Sequence, residues 1–242
     1  MSQEALCILD PTTTAREMGE VLTSIAKILE ENNVITSAGF SSLMGAAQQL
    51  RKFKDDSAWQ ISIERESPIE FELVENIYNE AETVSILLSS EGVKIDFEKK
   101  FPFVNLDICI LIRSLDEQPI SRWHFDLANE KESGLMQPGP LTHIQYGGHN
   151  PGFRQLDHPL KVPRWNHPPM DIVLLCEVVV SNFFPSKWDL IRENPTWCDA
   201  ISTSQRICYS AYLEKMVQTL GCRGTTILHE MDANIWSKKL SN

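Results

Sequence analysis

The stretch that decides the fold is residues 121–127, SRWHFDL, in which large apolar and polar side chains alternate strictly. A period of two is typical of a β-strand with one buried face and one polar face. We therefore expect the core face of this strand to carry Trp123, Phe125 and Leu127. The opposite face then carries Arg122, His124 and Asp126.

The same alternation continues on both sides of this stretch. Apolar residues recur at every second position in segments 59–63, 69–73, 84–88, 93–97, 106–112 and 144–146. The connections are short, and we predict one of them to be a turn over residues 90–92. Parallel pairing would require crossovers of about a dozen residues or more, so short connections indicate antiparallel pairing. The sequence predicts a mostly antiparallel sheet of about six to seven strands.

Helical periodicity is confined to the two ends of the chain. Apolar residues at a spacing of three and four lead from Thr12–Thr14 to Glu31, and a second such pattern covers residues 37–53. These patterns predict an N-terminal helical hairpin within residues 1–56. Further helices follow Asp171, and the last long one stops at Gly221. Helices grouped at both ends of a run of strands predict an α+β domain over residues 57–242, on which the hairpin packs.

Composition and charge indicate a globular protein of the cytoplasm. Hydrophobic residues make up 42% of the chain, and the apolar run over 172–180 is interrupted by Glu177, so no membrane span is expected. The N-terminus lacks the pattern of a signal peptide, and the six cysteines contain no Cys-x-x-Cys pair, which indicates a reducing compartment. The net charge of −11 argues against non-specific coating of nucleic acid.

A proline- and histidine-rich loop is predicted over residues 138–169. Seven of the 13 prolines fall in it, and five of the six histidines lie between residues 124 and 167. Arg154, Lys161 and Arg164 give the loop a locally positive charge that suits a small anion. A short strand over 141–147 places Ile144 toward the core, and therefore His143 and Gln145 on the polar face.

If these strands are neighbours, their polar face suits phosphodiester hydrolysis of a nucleotide or an RNA end, and Asp107 and Arg113 share that face. Histidine titrates near neutral pH, and the arginine fork matches phosphate, so imidazole acid–base catalysis is one interpretation. The candidate catalytic residues are Arg122, His124, Asp126 and His143. The candidate substrate-binding residues are Gln145, His149, Arg154 and Arg164.

A second interpretation is a divalent metal cofactor bound by His124, Asp126 and His143, because imidazole and carboxylate are common ligands of such ions. A weaker match to a nuclease motif is the Glu-x-Lys triplet at residues 98–100, with Glu70 or Glu72 as its acidic partner. The same polar side chains are also ordinary on a solvent-facing sheet, where ion pairs contribute little.

A different class of function is a non-catalytic accessory subunit that binds a partner protein in a multi-protein system. Aromatic residues concentrate binding energy at interfaces. The C-terminal helices offer Trp188, Trp197, Tyr209 and Tyr212 as anchors. Trp197 and Tyr212 lie on the apolar stripe of the last long helix, which favours the core for these two.

Overall fold

The computed structural model describes residues 10–53, 57–75, 83–147 and 162–240. Within these ranges the chain forms seven helices and one antiparallel sheet of eight strands, which confirms the predicted α+β class. The strands are β1 (Ala58–Ile63), β2 (Ile69–Glu70), β3 (Val74–Glu75), β4 (Thr83–Asp96), β5 (Phe103–Ser114), β6 (Pro119–Leu127), β7 (Thr142–Tyr146) and β8 (Trp165–Asn166). The helices are α1 (Ala15–Glu31), α2 (Ser37–Leu50), α3 (Ile172–Phe183), α4 (Pro185–Ile191), α5 (Pro195–Leu220), α6 (Ile227–Glu230) and α7 (Ala233–Leu240).

The sheet is built around the two long strands β4 and β5. Its order is β1-β4-β5-β6-β7-β8, and every pair is antiparallel. The short strands β2 and β3 continue the edge that β1 begins, so all three pair with β4. Consecutive strands from β4 to β8 are direct neighbours, as short connections require.

The turn predicted over residues 90–92 was wrong, because β4 runs through this point as one strand with a shift in register between Ser90 and Gly92. Leu88 pairs with Ile110, whereas Val93 pairs with Leu106, so β4 holds one residue more than β5 over this span. The extra residue is a β-bulge, which moves the inward side chains of β4 from even to odd positions. Both halves of β4 therefore keep their apolar side chains in the core.

The N-terminal hairpin shares one hydrophobic core with the sheet. Thr14 caps α1 in a capping box with Glu17, so the helix begins at the end of the predicted range Thr12–Thr14. The indole of Trp59 in β1 donates a hydrogen bond of 2.9 Å to the carbonyl of Thr13, just before α1. The division of the chain at residue 56 stays a prediction.

The C-terminal helices complete the same core. Asp171 caps α3, with its Oδ1 accepting a hydrogen bond of 3.0 Å from the amide of Leu174. Trp197 and Tyr212 of α5 are buried in this core, so neither is available as an anchor for a partner, whereas Trp188 and Tyr209 are half-buried against it. None of the helices in the described ranges is long and apolar enough to cross a membrane.

Candidate metal centre

The register of β5, β6 and β7 brings the polar side chains onto one face of the sheet. Asp126 lies between two cross-strand partners, Asp107 on β5 and His143 on β7. His124 lies opposite Gln145 in the next polar row. Side chains in such rows are direct neighbours, so the five predicted positions on β6 and β7 and Asp107 form one surface.

The other face of β6 is only partly buried. Phe125 lies in the core as predicted, but the side chain of Trp123 is 37% exposed. Trp123 instead packs edge-on against Tyr146 of β7, with ring centroids 4.9 Å apart. The prediction that Trp123 is a core residue was wrong, because alternation assigns a side chain to a face and does not determine how far the helices cover that face.

Asp107, His124 and Asp126 converge closely enough to hold one metal ion. Each offers a ligand atom, and these three atoms lie within 4.8 Å of one another. The Nδ1 atom of His124 is 4.0 Å from Oδ2 of Asp126. Two ligand atoms that each bind one ion at about 2.1 Å are at most about 4.2 Å apart, so small side-chain rotations would complete the site. We call these three residues the ligand triad.

Burial and neighbouring negative charge disfavour the ionised form of both carboxylates in the ligand triad. Burial, and after it the neighbouring charge of Asp107, raises the pKa of Asp126 to about 7. Burial and the carboxylate of Glu91 raise the pKa of Asp107 as well. The Oδ1 atom of Asp126 is buried and accepts no hydrogen bond from the described residues. Like charges directly across a strand pair are destabilising, and a cation between these two carboxylates would reverse that effect.

Burial holds the pKa of both histidines of the polar face well below neutral pH. Burial, and then the guanidinium of Arg122, lowers the pKa of His124 to about 4. Burial, and then Arg164, lowers the pKa of His143 to about 4, although its ring also bonds the carbonyl of Pro140. The Nδ1 atom of His143 is buried without a hydrogen-bond partner in the part of the chain that the structure describes. Neutral imidazole is the form that binds metal ions, whereas a general acid must carry a proton.

Arginines flank the ligand triad on two sides. The side chain of Arg122 is buried and donates from Nε to Sγ of Cys109 at 3.2 Å. On the other side, Arg164 donates to Oε1 of Gln145 at 3.3 Å and to Oε1 of Gln137 at 2.5 Å. The structure thus brings the predicted substrate-binding pair, Gln145 and Arg164, together beside the polar face.

Of the remaining sequence candidates, the structure describes Arg113 and the Glu-x-Lys triplet, and neither is at this centre. His149 and Arg154 lie outside the described residues. Arg113 shares the polar face but forms ion pairs with Glu70 and Glu117, both at 3.7 Å. Glu98 follows the end of β4 at Asp96, whereas Glu70 pairs with Leu87, about 30 Å back along that strand. The Glu-x-Lys triplet therefore has no acidic partner at Glu70. Glu72 lies further back still, because the preceding Phe71 donates to the carbonyl of Ile86, so neither predicted partner is close to the triplet.

Two residues at the centre were not assigned a role from the sequence. Asp107 was placed on the polar face but not among the ligands, although it is the one acidic residue within the apolar stretch 106–112. Arg65, which follows β1, carries no local pattern that links it to β6. Only the tertiary structure brings its charge close enough to lower the pKa of His124.

Comparison of this chain with models of known protein families, with curated proteins and with solved structures finds no match. The geometry and the chemistry of the polar face are therefore the basis for assigning a function to this chain.

Proposed function

We propose that the ligand triad, Asp107, His124 and Asp126, binds a divalent metal ion, and that the protein uses this ion to hydrolyse phosphate esters of a nucleotide or an RNA end. The observation that carries the proposal is the convergence of the three ligand atoms within 4.8 Å. Two carboxylates and one imidazole suit Mn²⁺, Fe²⁺ or Zn²⁺ better than a soft ion such as Cu⁺.

The electrostatics favour the metal-assisted form of this hydrolysis over acid–base catalysis by two histidines. Acid–base catalysis requires one imidazole to be protonated when the other is neutral. The pKa values of His124 and His143 are both lowered to about 4, so neither is a proton donor at neutral pH. A divalent ion held by Asp107, His124 and Asp126 would supply the nucleophile in another way, by lowering the pKa of a bound water molecule.

The protein's own groups supply the rest of the chemistry. The guanidinium groups of Arg122 and Arg164 lie close enough to influence the pKa of Asp126. Fixed positive charge at this position would stabilise the negative charge that develops on phosphate oxygens during hydrolysis. His143 lies directly across the strand pair from Asp126, and there it would orient that carboxylate or accept a proton from the attacking water.

Metal analysis of the purified protein tests the ligand triad. We expect about one Mn²⁺ or Zn²⁺ per chain in the wild type after dialysis, and at least about a tenfold loss of affinity in Asp107→Asn, His124→Gln and Asp126→Asn, measured by titration calorimetry. Matched controls are Asp189→Asn and His229→Gln, which change an exposed side chain of each type far from the triad. Equal metal affinity in the triad variants and in these controls would contradict the proposed site.

Hydrolysis of a model phosphodiester, bis(p-nitrophenyl) phosphate, tests the activity. We expect a Mn²⁺-dependent rate that falls at least about 100-fold in Asp126→Asn. The variant His143→Gln distinguishes metal-assisted hydrolysis from acid–base catalysis by two histidines. Acid–base catalysis would give a rate that does not depend on metal, and this variant would abolish that rate. A wild type that binds the metal but hydrolyses neither this diester nor p-nitrophenyl phosphate would restrict the site to binding.

The alternative proposal is a non-catalytic subunit that binds a partner protein. It has less support, because two of its four aromatic anchors, Trp197 and Tyr212, are buried in the core. A chain without metal affinity and without hydrolytic activity would favour this alternative.

A further inference from the structure

A small cavity adjoins the ligand triad on the polar face. It encloses about 230 Å³, and Leu87, Ser89, Cys109 and Leu111 of β4 and β5 form much of its lining. Cys109 is the cross-strand partner of His124, so this cavity and the triad share a wall. A larger cavity of about 740 Å³ opens toward α2 and meets the smaller one at Arg65, Pro68 and Leu87.

Two arginines supply the charge of the smaller cavity. Arg122 enters it from β6, and Arg65 enters it from the loop after β1. The side chain of Arg65 is about half exposed and forms an ion pair with Glu91, with 2.5 Å between Nη2 and Oε1. Both guanidinium groups also lower the pKa of Asp107, a carboxylate of the triad, so their charges act on the centre itself.

We infer that Arg65 and Arg122 bind a phosphate group of the substrate in this cavity, directly beside the metal ion of the ligand triad. This inference rests on the proposed function, whose substrate class it makes specific. Paired guanidinium groups are the side chains best matched to the oxygens of a phosphate. Leu87 and Leu111 offer an apolar lining to the atoms next to that phosphate.

The size of the cavity restricts the substrate. Its volume is below the range of about 300–1,000 Å³ that encloses a drug-sized ligand, so it accommodates a phosphate and a few neighbouring atoms. The rest of a nucleotide-sized substrate would extend into the adjoining cavity of about 740 Å³. The net charge of −11 also opposes a long polyanion. The substrate is therefore a small phosphorylated molecule of about nucleotide size and not a continuous nucleic-acid strand.

Glu91 competes with the phosphate for Arg65. Its carboxylate forms an ion pair with the guanidinium group that the phosphate would bind, and its charge also raises the pKa of Asp107. Removal of this carboxylate frees Arg65 and makes the cavity more positive. Variants at Arg65 and Glu91 are thus expected to change phosphate affinity in opposite directions.

Titration of the metal-free full-length protein with inorganic phosphate, followed by ³¹P NMR at low ionic strength, tests the inference. We expect Arg65→Gln to weaken phosphate binding about tenfold and Glu91→Gln to strengthen it about threefold. The matched control is Arg192→Gln at the end of α4, which removes an arginine that is also half exposed and also forms ion pairs with carboxylates. We expect this variant to leave phosphate affinity unchanged. Both variants at the cavity alter half-exposed side chains, so folding is not at risk.

Two results overturn the inference: equal phosphate affinity in the wild type and Arg65→Gln, or no gain of affinity in Glu91→Gln. Its failure is distinguishable from failure of the proposed function. A wild type that binds Mn²⁺ but does not bind phosphate contradicts the arginine site alone. Phosphate binding that depends on Arg65 in a protein without metal affinity supports the arginine site and contradicts the ligand triad.

Discussion

The two faces of β5, β6 and β7 both carry buried side chains, but of opposite chemistry. On the core face, Ile108 is 0% exposed among other apolar side chains, whereas on the polar face Arg122 is 7% and His143 is 4% exposed. Burial of apolar surface stabilises the fold, at about 25 cal/mol per Å². Burial of polar groups destabilises it unless each finds a partner. A fold that retains such a polar face at this cost is typical of a binding or catalytic site.

Asp171 on the core side of the sheet and Asp126 on the polar side are both buried carboxylates, but their surroundings differ. Burial raises the pKa of both Asp171 and Asp126. Asp171 has a structural role, because it caps α3. Asp126 caps no helix. Each carboxylate has one oxygen without a partner in the described ranges, Oδ1 of Asp126 and Oδ2 of Asp171. Convergence with other ligand atoms, and not burial alone, therefore distinguishes the candidate site.

The largest expected effect is on the core face. Ile108→Ala should lower the free energy of unfolding by about 2–5 kcal/mol, because it leaves a cavity among packed side chains. Urea unfolding followed by circular dichroism measures this change. The matched control is Leu111→Ala on the polar face of the same strand, where the side chain is half-buried and the expected loss is smaller. An equal loss in both variants would remove the energetic difference between the two faces.

A divalent ion should stabilise the polar face only. A ligand that binds the folded chain alone, at a free concentration of 100 times its dissociation constant, adds about 2.7 kcal/mol to the free energy of unfolding. We expect Mn²⁺ to raise the Tm of the wild type and of Leu111→Ala, and EDTA to reverse this rise. A similar rise of Tm in Asp107→Asn would show that Mn²⁺ binds elsewhere.

Without metal, a substitution in the ligand triad should stabilise the fold. Asp126→Asn removes one of two carboxylates that lie directly opposite each other, so we expect a gain of about 1 kcal/mol in the free energy of unfolding in EDTA. The same variant should lose Mn²⁺ binding. A loss of stability in EDTA would instead assign Asp126 a structural role.

The smallest change in the free energy of unfolding at any single pH is expected for Asp171→Asn, because asparagine also caps a helix. Burial raises the pKa of Asp171, so the wild type loses stability as the pH rises through that raised pKa. The thiols of Cys176 and Cys208 nearby stay neutral, since burial raises their pKa. Urea unfolding at pH 4 and pH 8 should show that the variant gains stability over the wild type at pH 8. The exposed Asp189→Asn should show no such pH dependence.

Local sequence predicted more of the fold than of the site. Alternation in residues 121–127 and 141–147 was sufficient to place His124, Asp126 and His143 on one face. The bulge at residues 90–92 was missed, because the polar Ser90 and the flexible Gly92 have the composition of a turn. Trp123 was misplaced, since exposure depends on where the helices lie over the sheet.

The amino-acid sequence by itself determined the α+β class and the polar face of β6, because a period of two is a local property of the backbone. Tertiary structure alone decided that Asp107 lies opposite Asp126 and that Arg65 approaches from beyond β4. These contacts depend on strand order and register, which are set by the packing of the whole sheet. The full set of ligands and charges at the candidate centre therefore could not be predicted from local sequence, because it combines residues from distant segments.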